Sequence, residues 1–175
     1  MTSPVPLGPE EELLWRALIR VATTLPRVVD SDISRDSGLS ASAYAVLVHL
    51  SEVPGRHLRM SELAARTVLS ASRISRVVED LSRAGLVTKA RCAEDGRGNL
   101  AGLTDAGLAR LRAAYPMHLA RVRERVVDHL SPAEVASLGP VLARLAEALD
   151  GSALLDGPAA LDGAVDAGVA APPSR

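Results

Sequence analysis

Two short helical segments, "SELAART" at 61–67 and "ASRISRVVEDLSRAG" at 71–85, are separated by three residues, and this spacing constrains the chain most. Ser70 can cap the second segment and Gly85 can close it. At about 100° per residue, Ile74, Val77, Val78 and Leu81 fall on one face. Ser72, Arg76, Glu79 and Arg83 fall on the other, with Arg73 and Ser75 at its edges. Two helices joined by a tight turn, the second amphipathic, are the sequence form of a helix-turn-helix.

The flanks extend this reading. Downstream, "LVTKARCAE" and "NLAGL" are short runs on either side of Asp95-Gly96, a dipeptide suited to a two-residue hairpin turn. A two-stranded hairpin directly after a helix-turn-helix makes a winged helix, with Arg97 at the wing tip. Upstream, a first helix starts after Pro9 with Glu10, Glu11 and Glu12 favourably placed against its dipole, and Pro26 should kink it. "DSDISRDSG" at 30–38 reads as a loop. Ser40 caps a second helix that runs to the "VPG" break at 53–55, Ser61 begins the next, and Thr104 caps a long helix that Pro116 should bend. "SPAE" at 131–134 is a capping box with Pro at the first helical position, and it opens a last helix carrying Val135, Leu138, Leu142, Leu145 and Leu149.

With no Phe, one Trp and two Tyr, the core must be Leu, Val and Ala, which favours packed helices. The fold class expected is mainly α with a small β-wing. Net charge is −1, but the average hides a segregation: residues 56–97 carry nine basic against five acidic side chains, +4, leaving −5 elsewhere. Cys92, the single cysteine, excludes an internal disulfide and a cysteine-based zinc site. No stretch approaches a membrane span, and the N-terminus lacks the basic region and apolar run of a signal peptide, so a soluble cytoplasmic protein is expected.

The segments "LRMSELAART" at 58–67, "LSASRISRVVEDLSRAGLV" at 69–87 and "DGRGNLAGLTDAG" at 95–107 resemble, in order, those of the multiple-antibiotic-resistance regulator (MarR) family of bacterial transcription factors. The resemblance spans Leu13 to about Leu149. It implies a homodimer joined through the first helix and the last two, and the Leu and Val seams of those helices independently call for a covering surface. The expected organisation is a disordered N-terminus at 1–9, an N-terminal dimerisation helix at 10–35, and a winged helix-turn-helix DNA-binding domain at 40–103. C-terminal dimerisation helices at 104–149 and a disordered tail at 150–175 complete it.

The implied partner is double-stranded DNA, with the helix from Ala71 in the major groove, the wing over the minor groove and a roughly palindromic operator. Arg73 and Arg76 can make bidentate contacts to guanine. Ser70, Ser72 and Ser75 are short enough to approach phosphates or base edges, although Ser70, like Ser61 and Thr104, is a helix cap first. Arg83 can join them, and Arg76 and Arg83 can instead belong to an ordinary solvated helix face. Lys89 and Arg91 suit phosphate, or merely solubility. Arg97 suits a narrow A·T-rich minor groove, with Asp95 orienting it, or is a plain surface turn residue.

The resemblance further implies a repressor released by a small aromatic or anionic molecule. Trp15, Arg16, Tyr44, His49, Tyr115 and His118 are the candidate contacts: rings to stack, Arg or His to meet a carboxylate. Each can equally be a packing or surface group. Cys92, beside Arg91, is a candidate redox switch. The residues contain no catalytic constellation, the four histidines share no zinc-type spacing, and no cofactor is called for. The alternatives kept open are a redox-responsive regulator acting through Cys92 and a winged-helix protein-interaction module without DNA binding.

Overall fold

The computed structural model describes residues 5–91 and 99–150. The expected hairpin turn, with Cys92, Asp95 and Arg97, lies outside them, as do 1–4 and 151–175, most of the expected disordered ends. The elements in chain order are α1 (Pro9–Ser37), α2 (Ala41–Ser51), β1 (His57–Arg59), α3 (Met60–Thr67), α4 (Ala71–Arg83), β2 (Val87–Arg91), β3 (Asn99–Leu103), α5 (Asp105–Arg125) and α6 (Pro132–Asp150). Single 3-10 turns at Pro54–Arg56 and Val127–His129 join α2 to β1 and α5 to α6. The expected class, mainly helical with a small β-wing, is what forms.

Local chemistry sets most boundaries. Ser40, Ser70 and Thr104 accept hydrogen bonds from the backbone N–H of Ala43, Arg73 and Gly107 at 3.1, 3.3 and 3.0 Å, the caps expected of them. Ser131 and Glu134 cap each other reciprocally, with N–H to carboxylate at 2.8 Å and N–H to hydroxyl at 3.3 Å. Ser61 is not a cap, because α3 already starts at Met60, where the Glu62 carboxylate accepts from the Arg59 N–H at 2.9 Å. Pro26 and Pro116 lie inside α1 and α5, and neither ends its helix. Between α3 and α4, Val68 adopts a left-handed backbone at φ 52°, unusual for a β-branched residue. The N–H of Leu69 then reaches back to the Ala64 carbonyl at 3.1 Å and closes the turn.

Two expectations need correction. Residues 30–37 are helix, not loop: α1 continues to Ser37 and stops at Gly38, which takes φ 69° and donates to the Ser34 carbonyl at 2.8 Å. Those last turns persist because Ile33 is buried and because Asp32 and Asp36 are gripped by arginines of α5. The sheet also has three strands, ordered β1-β3-β2 and all antiparallel, not two. At three residues β1 is too short to show an alternating pattern, and it forms because β3 offers it an edge.

The apolar face of α4 points inward as its spacing requires, with Ile74, Val78 and Leu81 buried against Val46, Leu47 and Leu50 of α2, Leu63 of α3 and Leu111 of α5. The wing is anchored at its base. Thr104 Oγ1 donates to the Leu86 carbonyl at 3.0 Å, and a Cβ on Gly107 would come 2.1 Å from that same carbonyl oxygen, so the "LTDAG" turn needs glycine there.

Candidate nucleic-acid interface and adjoining cavity

Because its apolar face is committed to the core, α4 must present its polar face outward. Ser72, Arg73, Ser75, Arg76, Glu79 and Arg83 are all exposed. Ser75 Oγ bonds back to the Ala71 carbonyl at 2.9 Å and Ser70 Oγ lies 3.2 Å from Ser72 Oγ, so the hydroxyls hug the helix and leave its surface low. Arg73 leans onto α2, its Nη2 donating to Ser42 Oγ at 3.2 Å. Arg76 makes no ion pair with any described residue.

The other cations of this surface are partly engaged. Lys89 on β2 reaches Glu79 on α4 at 2.6 Å, latching the strand to the helix and holding the Glu79 carboxyl below its ordinary range. Arg83 pairs with Asp80 one turn earlier. Both pairs are solvent-exposed and weak, so a phosphate can compete for either cation. Arg91 ends β2 opposite Asn99, and its side chain lies outside what is described. The wing-tip readings of Asp95 and Arg97, and the redox reading of Cys92, also fall outside the described residues.

On the far side of the core, α1, α2 and α5 enclose a cavity of about 160 Å³. Its wall is largely aliphatic: Leu25, Val29 and Ile33 from α1, and Ala114, Val122 and Val126 from α5 and its end. Tyr44 and His118 also line it, their ring centroids 4.6 Å apart and inclined at 49°. Burial pushes the Tyr44 hydroxyl up to about 12, with a smaller push from Tyr115. Burial also lowers the His118 pKa, so the imidazole is neutral at neutral pH. The Tyr44 hydroxyl is buried and has no hydrogen-bond partner among the described residues.

Of the six candidate ligand contacts, then, the fold brings Tyr44 and His118 together at one cavity. The others are elsewhere. Trp15 is 53% exposed near the start of α1, and Arg16 is paired with Glu12 at 2.5 Å. His49 lies 3.3 Å from Glu52, and Tyr115, on the helix that carries His118, does not line the cavity.

Sequence reasoning missed the charged part of the wall. Asp32 and Asp36 on α1 face Arg125 and Arg121 on α5 at 3.0 and 2.9 Å, with Arg35 bridging both carboxylates and Glu124 both guanidiniums. Hydrogen bonds from Arg125 and Arg35 hold Asp32 below the usual carboxylate range, and those from Arg121 and Arg35 do the same for Asp36. The signal was present: two acids four apart and two arginines four apart stack on matching helix faces. Reading 30–38 as a loop concealed it. Among the described residues, no group of three or more His, Cys, Asp or Glu is arranged to hold a metal, and no helix is long and apolar enough to cross a membrane.

The MarR family profile matches residues 37–98. The crystal structure of Sco3205, a MarR family transcriptional regulator from Streptomyces coelicolor in complex with DNA, is 41% identical with a TM-score of 0.78, over 84% of this chain and 92% of that one. PcaV, a transcriptional regulator of the same organism crystallised with its natural ligand, is 30% identical with a TM-score of 0.64, over 85% and 99% of the two chains. The HTH-type transcriptional repressor YetL of Bacillus subtilis is 30% identical over 112 residues, 62% of this chain and 66% of that protein, so the chain spans just under two thirds of that repressor.

Proposed function

This chain belongs to the MarR family of transcriptional regulators, and from that premise we propose that it is a homodimeric, sequence-specific repressor in the cytoplasm that a small molecule releases from DNA. The observation that carries the reading is the outward face of α4, where short hydroxyl side chains flank Arg73 and Arg76 beside the β-wing. Two such helices related by a two-fold axis read a roughly palindromic operator through successive major grooves. Ser70, Ser72, Ser75, Arg83, Lys89 and Arg91 supply phosphate or base-edge contacts, and Arg97, oriented by Asp95, enters the flanking minor groove.

Dimerisation is supported by apolar side chains that the protomer leaves in water: Leu13, Leu14, Trp15, Ile19 and Val21 on α1, and Val135, Leu138, Leu142 and Leu145 on α6. DNA bound to Sco3205, the repressor role of YetL and the ligand bound to PcaV support the remaining parts of the reading. The cavity between α1, α2 and α5 is the effector site in this reading.

Gel-shift titration of the upstream intergenic DNA at several salt concentrations tests it. Affinity should fall steeply with salt, and Arg76→Ala should cost about 1–3 kcal/mol of operator affinity, as should Arg73→Ala. Binding that ignores salt, or that neither substitution weakens, contradicts the reading.

A further inference from the structure

The outward side of α4 carries two arginines three residues apart, and the fold treats them differently. We propose that Ser42 of α2 is a positioning residue for Arg73. It holds that guanidinium at the edge of α4 as a sequence-independent phosphate clamp, and Arg76 is left as the base-reading arginine of the helix. This inference rests on the reading of the chain as a DNA-binding repressor, and it divides between two residues a role for which both are candidates by residue type.

The anchor is fixed at both ends. Ser42 lies in the first turn of α2, where Asp30 of α1 accepts from the Ala41 N–H at 2.8 Å and Ser40 accepts from the Ala43 N–H at 3.1 Å. Further along, Val46 and Leu47 of α2 share the core with Ile74 of α4. Arg73 is held in the first turn of α4, where its own backbone N–H donates to Ser70 Oγ at 3.3 Å. With both backbones set, the 3.2 Å bond from Arg73 Nη2 to Ser42 Oγ aims the guanidinium across the seam between α4 and α2.

The tether directs Arg73 without neutralising it. A guanidinium has five N–H donors, and a serine hydroxyl is an uncharged acceptor that uses one of them. Arg73 pairs with no carboxylate among the described residues. Lys89 and Arg83 differ, since each meets an acid, Glu79 at 2.6 Å and Asp80 respectively. The full charge of Arg73 and most of its donors therefore remain for a phosphate at the groove wall.

Arg76 has the opposite setting. At about 100° per residue it stands roughly 60° round the helix from Arg73, on the outward face where Arg73 holds only the edge. It is exposed and makes no ion pair with any described residue. Reading a guanine bidentately requires both N–H groups of the fork to lie along the base edge. An untethered guanidinium reaches that geometry directly, whereas Arg73 reaches it only by giving up Ser42.

Anisotropy titration of the full-length protein on the upstream intergenic DNA and on a shuffled duplex of the same length, at several salt concentrations, tests this. Arg73→Ala should lower affinity for both DNAs by the same factor and flatten the slope of log affinity against log salt by about two, one phosphate per protomer. Arg76→Ala should instead lower the ratio of operator to shuffled affinity by at least about tenfold with little change of slope. Arg73→Lys keeps the charge and should hold both slope and ratio. Ser42→Ala should weaken binding to both DNAs about threefold, and Ser42→Thr, which keeps the hydroxyl, should bind like the parent. Once Arg73 is alanine, Ser42→Ala should add nothing. The proposal is overturned if the ratio falls as far in Arg73→Ala as in Arg76→Ala, if Ser42→Ala has no effect, or if its effect persists without Arg73. A parent chain that binds neither DNA in a salt-dependent way defeats the regulator reading as well. Steep salt-dependent binding by the parent, with any of those three outcomes, defeats this inference alone.

Discussion

The middle of the chain and its two arms use the same aliphatic residues to opposite ends. Among the described residues, every buried hydrophobic side chain lies between Ile33 and Ala114. The large hydrophobics left exposed lie, apart from Val68, on α1 before Ile33, on α5 beyond Ala114, on α6, or in the segment ahead of α1. A helix in the winged domain has neighbours on its apolar side, whereas Leu138, Leu142 and Leu145 on the apolar side of α6 stay exposed. Periodicity thus reports an apolar face, without saying whether the same chain covers it.

The sharpest way to break this contrast is to charge the exposed arm. Leu138→Glu with Leu142→Glu should leave the winged domain folded but give a monomer in sedimentation equilibrium. Losing the second reading head should lower operator affinity by about 10²–10⁴-fold. A dimer that survives both charges would show that α6 is not the covering surface.

The counterpart in the middle is Leu111→Ala. Leu111 is fully buried, so its truncation should cost about 2–5 kcal/mol in denaturant unfolding whatever the oligomeric state. Leu145→Ala on α6 should instead leave the winged domain's own stability in place and raise the protein concentration at which the dimer dissociates.

The smallest effect concerns the seam between the two regions. Asp32 and Asp36 titrate below their ordinary range because arginines of α5 and α1 hold the charged forms. A lowered carboxylate pKa contributes stability that is complete above the unfolded-state value of about 3.9 and is lost as pH falls through the lower folded-state value. Acid titration of Asp36→Asn should therefore show a shallower loss of stability below that pH than the parent. An unchanged slope would mean that the seam does not tie α1 to α5.

How far the sequence foretold this molecule depended on the range of the interaction. Ser40, Ser70, Thr104 and the Ser131–Glu134 box were legible because a cap and the N–H it serves lie within three residues. The inward side of α4 was legible because helical spacing alone assigns it. What was missed is non-local. β1 has no pattern of its own and exists through its register with β3. The last turns of α1 look like a polar loop until Arg121 and Arg125 arrive from α5. Of the six side chains considered for ligand contact, the residue types were informative but their meeting place was not, since the pairing of Tyr44 with His118 requires α2 to pack against α5.

The sequence by itself determined the order of the helices, the family, and the face of α4 that looks outward, because local propensity, capping and period act over a few residues. The tertiary structure alone decided that four charges along α1 and α5 cancel one another and that one tyrosine hydroxyl is sealed in without a partner among the described residues. Burial and pairing belong to sites built from distant segments, and neither can be read from a single stretch of chain.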